Sequence, residues 1–184
     1  MSLLVDRDDS LLLVVDVQER LASAIHAGER MVERITFLLA AATRLDIPVV
    51  FTEHYRKGLG RTLDVLQVEG APVFDKIRFD AMAEADGLAD YIDSQPRKQI
   101  IVTGCETHVC VLQTVCGLMR AEHDVRIVQD ATGSRRLEDR NVALARMRSA
   151  GVGIMTAEMA VFEWLREGDS DAFRDLLPSI RALD

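Results

Sequence analysis

The sequence predicts a single α/β domain built on a doubly wound, mainly parallel sheet with helices on both faces. Three observations carry this expectation. Short apolar runs, typical of buried strands, alternate along the chain with segments of 3.6-residue apolar period. The runs are continuous rather than alternating, as in sheets covered on both sides. The 184 residues, 48% apolar and 28% charged, suffice for one core and are short for two. The whole chain, 1–184, therefore reads as one domain.

The elements follow in order. Residues 11–15 are an apolar run closed by Asp16. Over 31–45, Met31, Ile35, Leu38, Ala42 and Leu45 keep helical spacing, and 48–52 is a β-branched second strand. Val73 and Phe74, before Asp75 and Lys76, make a weaker third strand. A helix over 81–92 aligns Met82, Ala85, Leu88, Ala89 and Ile92, and 99–103 is a strong buried strand. The next helix, 108–120, carries Val109, Leu112, Cys116 and Met119 on one face and Val111, Val115 and Leu118 on another. Apolar on two faces, it should be mostly covered by protein, with Cys116 in the core. A strand over 125–128 runs to Asp130, and a helix over 140–150 is closed by Gly151, a typical C′ residue. A short strand, 153–156, precedes a helix over 158–166 with Met159, Phe162 and Leu165 inward. The terminal helix, 171–183, is interrupted by Pro178. One long connection, 53–71, contains Gly58, Gly60 and Gly70; so long a loop in a small domain is usually functional.

Composition excludes several classes. The net charge is −8, from 22 basic and 30 acidic residues, which argues against nucleic acid as a partner. Arg56-Lys57 and Arg135-Arg136 are isolated basic pairs and form no stripe. Cys105, Cys110 and Cys116 lack both the paired spacing of a metal site and a Cys-x-x-Cys redox pair. An odd number of cysteines behind an acidic N-terminus fits free thiols in a reducing compartment. No apolar run reaches the roughly 18 residues of a membrane span. The expectation is a cytoplasmic protein with neither nucleic-acid nor membrane partners.

Open parallel sheets bind ligands beyond the carboxyl ends of their strands. The polar residues there are Asp16, Thr52, Glu53, His54, Asp75, Lys76, Cys105, Glu106, Asp130 and Thr156. Three residues can form a working set: Asp16 after strand one, Lys76 after strand three, and Cys110 in the helix after strand four. With Thr107 as cap, Cys110 would sit among unpaired N–H groups of the first turn. Those donors and a nearby lysine would lower its thiol pKa, and the N–H groups could hold an oxyanion. Each residue also has a plain structural reading: Cys110 as a small core residue, Lys76 as a solvated charge, Asp16 as a turn cap.

The stretch leading to Asp16 and Gln18, then Lys76, then Thr103-Gly104-Cys105-Glu106-Thr107-His108-Val109-Cys110-Val111, resembles the isochorismatase-like cysteine hydrolase superfamily. Segments 51–60 and 142–147 are similar to those of isochorismatase domain-containing proteins. The resemblance runs from about residue 11 to residue 165, nearly the whole chain, and implies a Rossmann-like fold. It also implies a triad of Asp16, Lys76 and Cys110, with Cys110 as nucleophile. It further implies a cis peptide between Cys105 and Glu106, with the Glu106 and Cys110 N–H groups as oxyanion hole. Gln18, His54, Tyr55 and Thr107 are the pocket candidates. His108 lies two residues from Cys110, an offset at which helical side chains do not face each other. The resemblance also implies a homo-oligomer, a dimer or larger, with Trp164, Phe173 and the terminal helix as interface pieces.

The chain departs from the family in two ways. Metal-binding nicotinamidases carry an Asp-x-His and a further His after strand two, where this chain reads Thr52-Glu53-His54-Tyr55-Arg56. No metal or other cofactor is therefore expected. Authentic isochorismatases typically lack the nucleophilic cysteine, so Cys110 favours hydrolysis of a small amide-like substrate. Two rivals stay open: a non-catalytic binding or scaffolding protein, and a magnesium-dependent phosphohydrolase using Asp16. The phosphohydrolase is weakened by Gln18 where its second aspartate would stand.

Overall fold

The computed structural model describes residues 3–83 and 87–183. Six strands form one sheet in the order β3-β2-β1-β4-β5-β6: β1 (Ser10–Val15), β2 (Val49–His54), β3 (Val73–Lys76), β4 (Gln99–Cys105), β5 (Asp124–Gly133) and β6 (Gly153–Met155). Every strand pair is parallel. The order reverses between β1 and β4, which is the switch point of the doubly wound fold.

Strand β1 shows how the sequence builds two cores at once. Leu12 and Val14 face one cluster, and Leu11, Leu13 and Val15 face the other, since alternate side chains point to opposite faces. On the first face lie α2 (Gly28–Arg44), α7 (Ala157–Leu165) and α8 (Asp171–Arg181). On the second lie α4 (Leu88–Ser94), α5 (Leu112–Arg120) and α6 (Leu137–Ser149). No described helix is long and apolar enough to cross a membrane.

Several expectations are corrected. Cys116 is exposed rather than core, because α5 buries Val115 and Leu118 on the sheet and leaves its other apolar face to a surface groove shared with α6. In α7, Met159 and Phe162 are also exposed, while Ala157, Ala160, Val161 and Trp164 pack inward. Trp164 is 1% exposed and its Nε1–H donates to Ser10 Oγ at 3.0 Å, so it belongs to the core and not to an interface. Helix α8 passes through Pro178 without a break. Strand β5 runs five residues beyond Val128, because a register shift lets Thr132 and Gly133 pair with Gly104 and Cys105. The helix expected over 81–92 is a 3₁₀ turn, Ala81–Ala83, followed by α4; its Ala85 lies outside the described residues.

The connection 53–71 is not an open loop. It holds α3 (Arg56–Leu59) and a 3₁₀ turn, Asp64–Leu66, whose Leu66 is fully buried. The short α1 (Glu19–Ala22) starts where β1 has left the sheet.

Candidate active site

The switch point supplies the geometry. Asp16 leaves β1 with a φ of 53°, and its side chain is fully buried. Next to it, β4 comes unusually close: a Cβ on Gly104 (φ 108°) would lie 2.0 Å from the Val15 carbonyl oxygen. Only glycine fits there, and its absent side chain lets the end of β4 meet the end of β1. After β4 the Cys105–Glu106 peptide is cis. A π-helical turn, Thr107–Val111, then leads into α5 and carries Cys110, 5% exposed. From the other side β3 ends in Lys76, also buried.

These three side chains meet. Lys76 Nζ lies 2.6 Å from Asp16 Oδ2, and Thr52 Oγ1 donates to Asp16 Oδ1 at 2.7 Å. Cys110 lies beside both groups: the Asp16 charge raises the pKa of its thiol and the Lys76 charge lowers it. Lys76 also donates to the Arg78 carbonyl at 3.3 Å. Cys105 Sγ donates to the Asp16 carbonyl at 3.4 Å.

The thiol electrostatics reverse the expectation from sequence. Burial, then the Asp16 charge, push Cys110 up to about 12, against a smaller lowering by Lys76. The first turn is π-type with Glu106 as N-cap, not Thr107, and no side chain caps it. Cys110 is therefore held as a neutral thiol near neutral pH, beside the Asp16 carboxylate. Cys105, completely buried, is raised too, by burial first and by Asp16 next.

The other expected residues are placed as follows. The Gln18 carboxamide is taken up by backbone: Nε2 donates to His54 O and Gly60 O, and Oε1 accepts from the His54 N–H. The His54 ring packs on Phe79 with centroids 5.2 Å apart. Tyr55 is 53% exposed, and its N–H donates to the Lys76 carbonyl. Thr107 is buried, and its Oγ1 has no hydrogen-bond partner. The Glu106 carboxylate accepts from the Arg135 N–H and Nε, and His108 bonds Ser134 and faces Asp139. Arg135 was not a site candidate, and only its place after β5 could have signalled it.

Asp130, which a phosphohydrolase would use, instead accepts from the Ala157 N–H and lies 3.8 Å from Arg34. Among the described residues no group of three or more His, Cys, Asp or Glu side chains is placed to hold a metal.

Fold and site together define a class: a parallel α/β protein with a thiol, a carboxylate and an ammonium gathered at the carboxyl end of its sheet. The isochorismatase domain matches residues 10–159, and the chain belongs to the isochorismatase family of hydrolases. It is 31% identical over 178 residues to isochorismatase family protein 1B of Dictyostelium discoideum, covering 93% of this chain and 85% of that protein. The structure of MAR1 ribonuclease from Caenorhabditis elegans is similar with a TM-score of 0.89 at 32% identity, covering 96% of this chain and 92% of the other. YcaC from Pseudomonas aeruginosa, solved with hexane-2,5-diol and covalent acrylamide, shares the fold with a TM-score of 0.90 at 24% identity, over 98% and 93% of the two chains.

Proposed function

We propose that this protein is a cysteine hydrolase of a small amide-like substrate, working through a thioester. The observation that carries the reading is the meeting of Asp16, Lys76 and Cys110, brought from the ends of β1 and β3 and from the turn after β4. Asp16 takes the Cys110 proton as the sulfur attacks the carbonyl carbon, and the carbonyl electrons move to oxygen. The backbone N–H groups of Glu106 and Cys110 hold that oxyanion. Collapse breaks the C–N bond, and Asp16 returns its proton to the leaving amine. Water then attacks the thioester, giving one proton to Asp16; the C–S bond breaks, and that proton returns to the thiolate. The sum is amide plus water giving acid plus amine. Lys76 holds Asp16 in place and balances its charge whenever the carboxylate has given its proton away.

A neutral resting thiol suits this sequence, since proton transfer and attack then occur together. The 5% exposure of Cys110 supports a small acyl group. We assign Thr107, with its unpartnered hydroxyl, and the ring pair of His54 and Phe79 to the pocket. The C. elegans relative is named a ribonuclease. An RNA substrate needs free cations along a groove, whereas this chain carries −8, Lys76 is committed to Asp16, and Arg135 to Glu106. We also read the chain as a homo-oligomer, because Ile77, Val142, Met159 and Phe162 expose large apolar surfaces.

A thermal-shift screen of small amides and carboxylic acids, followed by ammonia release from the hits, tests the reading. The expected result is a substrate whose turnover is abolished by Cys110→Ser and by Asp16→Asn. Turnover that survives Cys110→Ser overturns it, as does a screen in which ligands bind and none is hydrolysed.

A further inference from the structure

Strand β1 stops before its neighbour does. Up to Asp16 the ladder with β2 is regular, with the Leu12 N–H donating to Pro48 O and the Asp16 N–H to Thr52 O. The next rungs of a parallel pair would join the His54 N–H to the Asp16 carbonyl, and the His54 carbonyl to an N–H two residues on. They do not form, because Asp16 turns the chain out of the sheet and the Gln18 N–H folds back onto the Asp16 carbonyl at 2.9 Å.

The Gln18 side chain occupies both vacated rungs. Its Oε1 accepts the His54 N–H at 2.8 Å, and its Nε2 donates to the His54 carbonyl at 3.0 Å. The second Nε2 hydrogen goes to the Gly60 carbonyl at 2.7 Å. A carboxamide offers the same donor and acceptor as a peptide unit, and Gln18 is fully buried. On its other side, the end of β2 holds β3: His54 is in register with Lys76, and the Tyr55 N–H donates to the Lys76 carbonyl at 2.9 Å.

We propose that Gln18 is a positioning residue that replaces β1 as strand partner of His54 and thereby holds Lys76 against Asp16 beside Cys110. This rests on the triad reading above. When Lys76 is loosened, Cys110 loses a neighbour that favours its thiolate, while burial and the Asp16 charge remain.

The test is the pH dependence of Cys110 alkylation by iodoacetamide, followed by site-resolved mass spectrometry in a Cys116→Ser background. Gln18→Met keeps the length of the side chain and removes its hydrogen bonds. It should shift the profile to higher pH by about one unit, or about tenfold slower labelling near neutrality. Gln18→Glu, which keeps an acceptor for the His54 N–H, should shift it less, and it carries the test if the methionine variant does not fold. Glu53→Gln loosens the same connection at Thr62 and Arg56 and leaves the His54 backbone alone. It should lower the melting temperature and leave the profile in place. Lys76→Met is the reference. If it shifts the profile and the Gln18 variants do not, or if Glu53→Gln shifts it equally, the role of Gln18 is overturned while the triad stands. If Lys76→Met leaves the profile unmoved, the triad reading itself falls, and this inference with it.

Discussion

Lys76 and Asp16 form an ion pair at 2.6 Å with side chains 1% and 0% exposed. Two charges so placed lose their hydration, and each is tolerable only because the other is there. The sheet supplies the pair: one end of β1 and one end of β3, two strands apart, bridged by β2, whose Thr52 hydroxyl bonds the same carboxylate. The arrangement is costly to build and serves no packing need that apolar side chains could not meet, which is why it marks a site of chemistry.

Removing one partner should therefore cost more than removing both. Lys76→Met is expected to lower stability by about 3–5 kcal/mol, because it leaves a buried carboxylate unpaired. Asp16→Asn combined with Lys76→Met should lose less than the sum of the two single changes. Urea unfolding of the four proteins measures this, and strict additivity would contradict a mutually dependent pair.

Thr52 gives a smaller and separable effect. Its hydroxyl donates to an ionised acceptor at 2.7 Å in a buried site. Thr52→Val, similar in shape, should cost about 1.5–3 kcal/mol, the usual range for a hydrogen bond to a charged group. A loss near zero in the same unfolding assay would show that the carboxylate does not depend on this donor.

The two raised thiols make stability fall on the alkaline side. Cys110 is pushed up to about 12 and Cys105 is raised as well, whereas an unfolded chain releases thiol protons near about 8.5. Between those values the native state holds more protons than the unfolded one, so unfolding free energy decreases as pH rises. Below the unfolded value the contribution is complete; it is lost progressively toward the folded value. Melting temperatures recorded from neutral to strongly alkaline pH should show this decline, and Cys110→Ser should make it shallower. An unchanged slope in that variant would mean that the thiol is not held protonated by the fold.

The chain's pattern reveals the sheet, and the three side chains that meet at its carboxyl end, more readily than their surroundings. Strand β1 is legible because an unbroken apolar run ends abruptly in an acid, and Lys76 because a lysine closes a short strand. Cys110 is legible as a candidate nucleophile, yet its electrostatics are not. Whether helix N–H groups or burial and Asp16 dominate depends on distances that no spacing encodes. Cys116 and Met159 look buried by period, but period shows only that a face is apolar, not what covers it. Pro178 looks like a break, whereas α8 carries on through it. Gln18 has no periodic signature at all, since its role depends on where β1 leaves the sheet, and that follows from the positive φ of Asp16.

Gly104 sets the distance between the strand ends that bracket the site. Its φ of 108° lies in the region L side chains avoid, and an added Cβ would meet the Val15 carbonyl oxygen at 2.0 Å and the Val15 nitrogen at 2.7 Å. Gly151 has a comparable φ of 91° but nothing within 4 Å of an added Cβ. Alanine at either position bears the left-handed backbone cost of about 1–2 kcal/mol. Only at 104 must β1 and β4 also separate, adding about 1–3 kcal/mol of overpacking. Asp16 follows Val15 and Cys105 follows Gly104, so that separation opens the crevice itself. Gly104→Ala should therefore lose markedly more stability than Gly151→Ala in denaturant unfolding, and it should also slow Cys110 alkylation in the folded protein. Equal losses at the two positions, with labelling unchanged, would show that the close approach of these strands does not set the site.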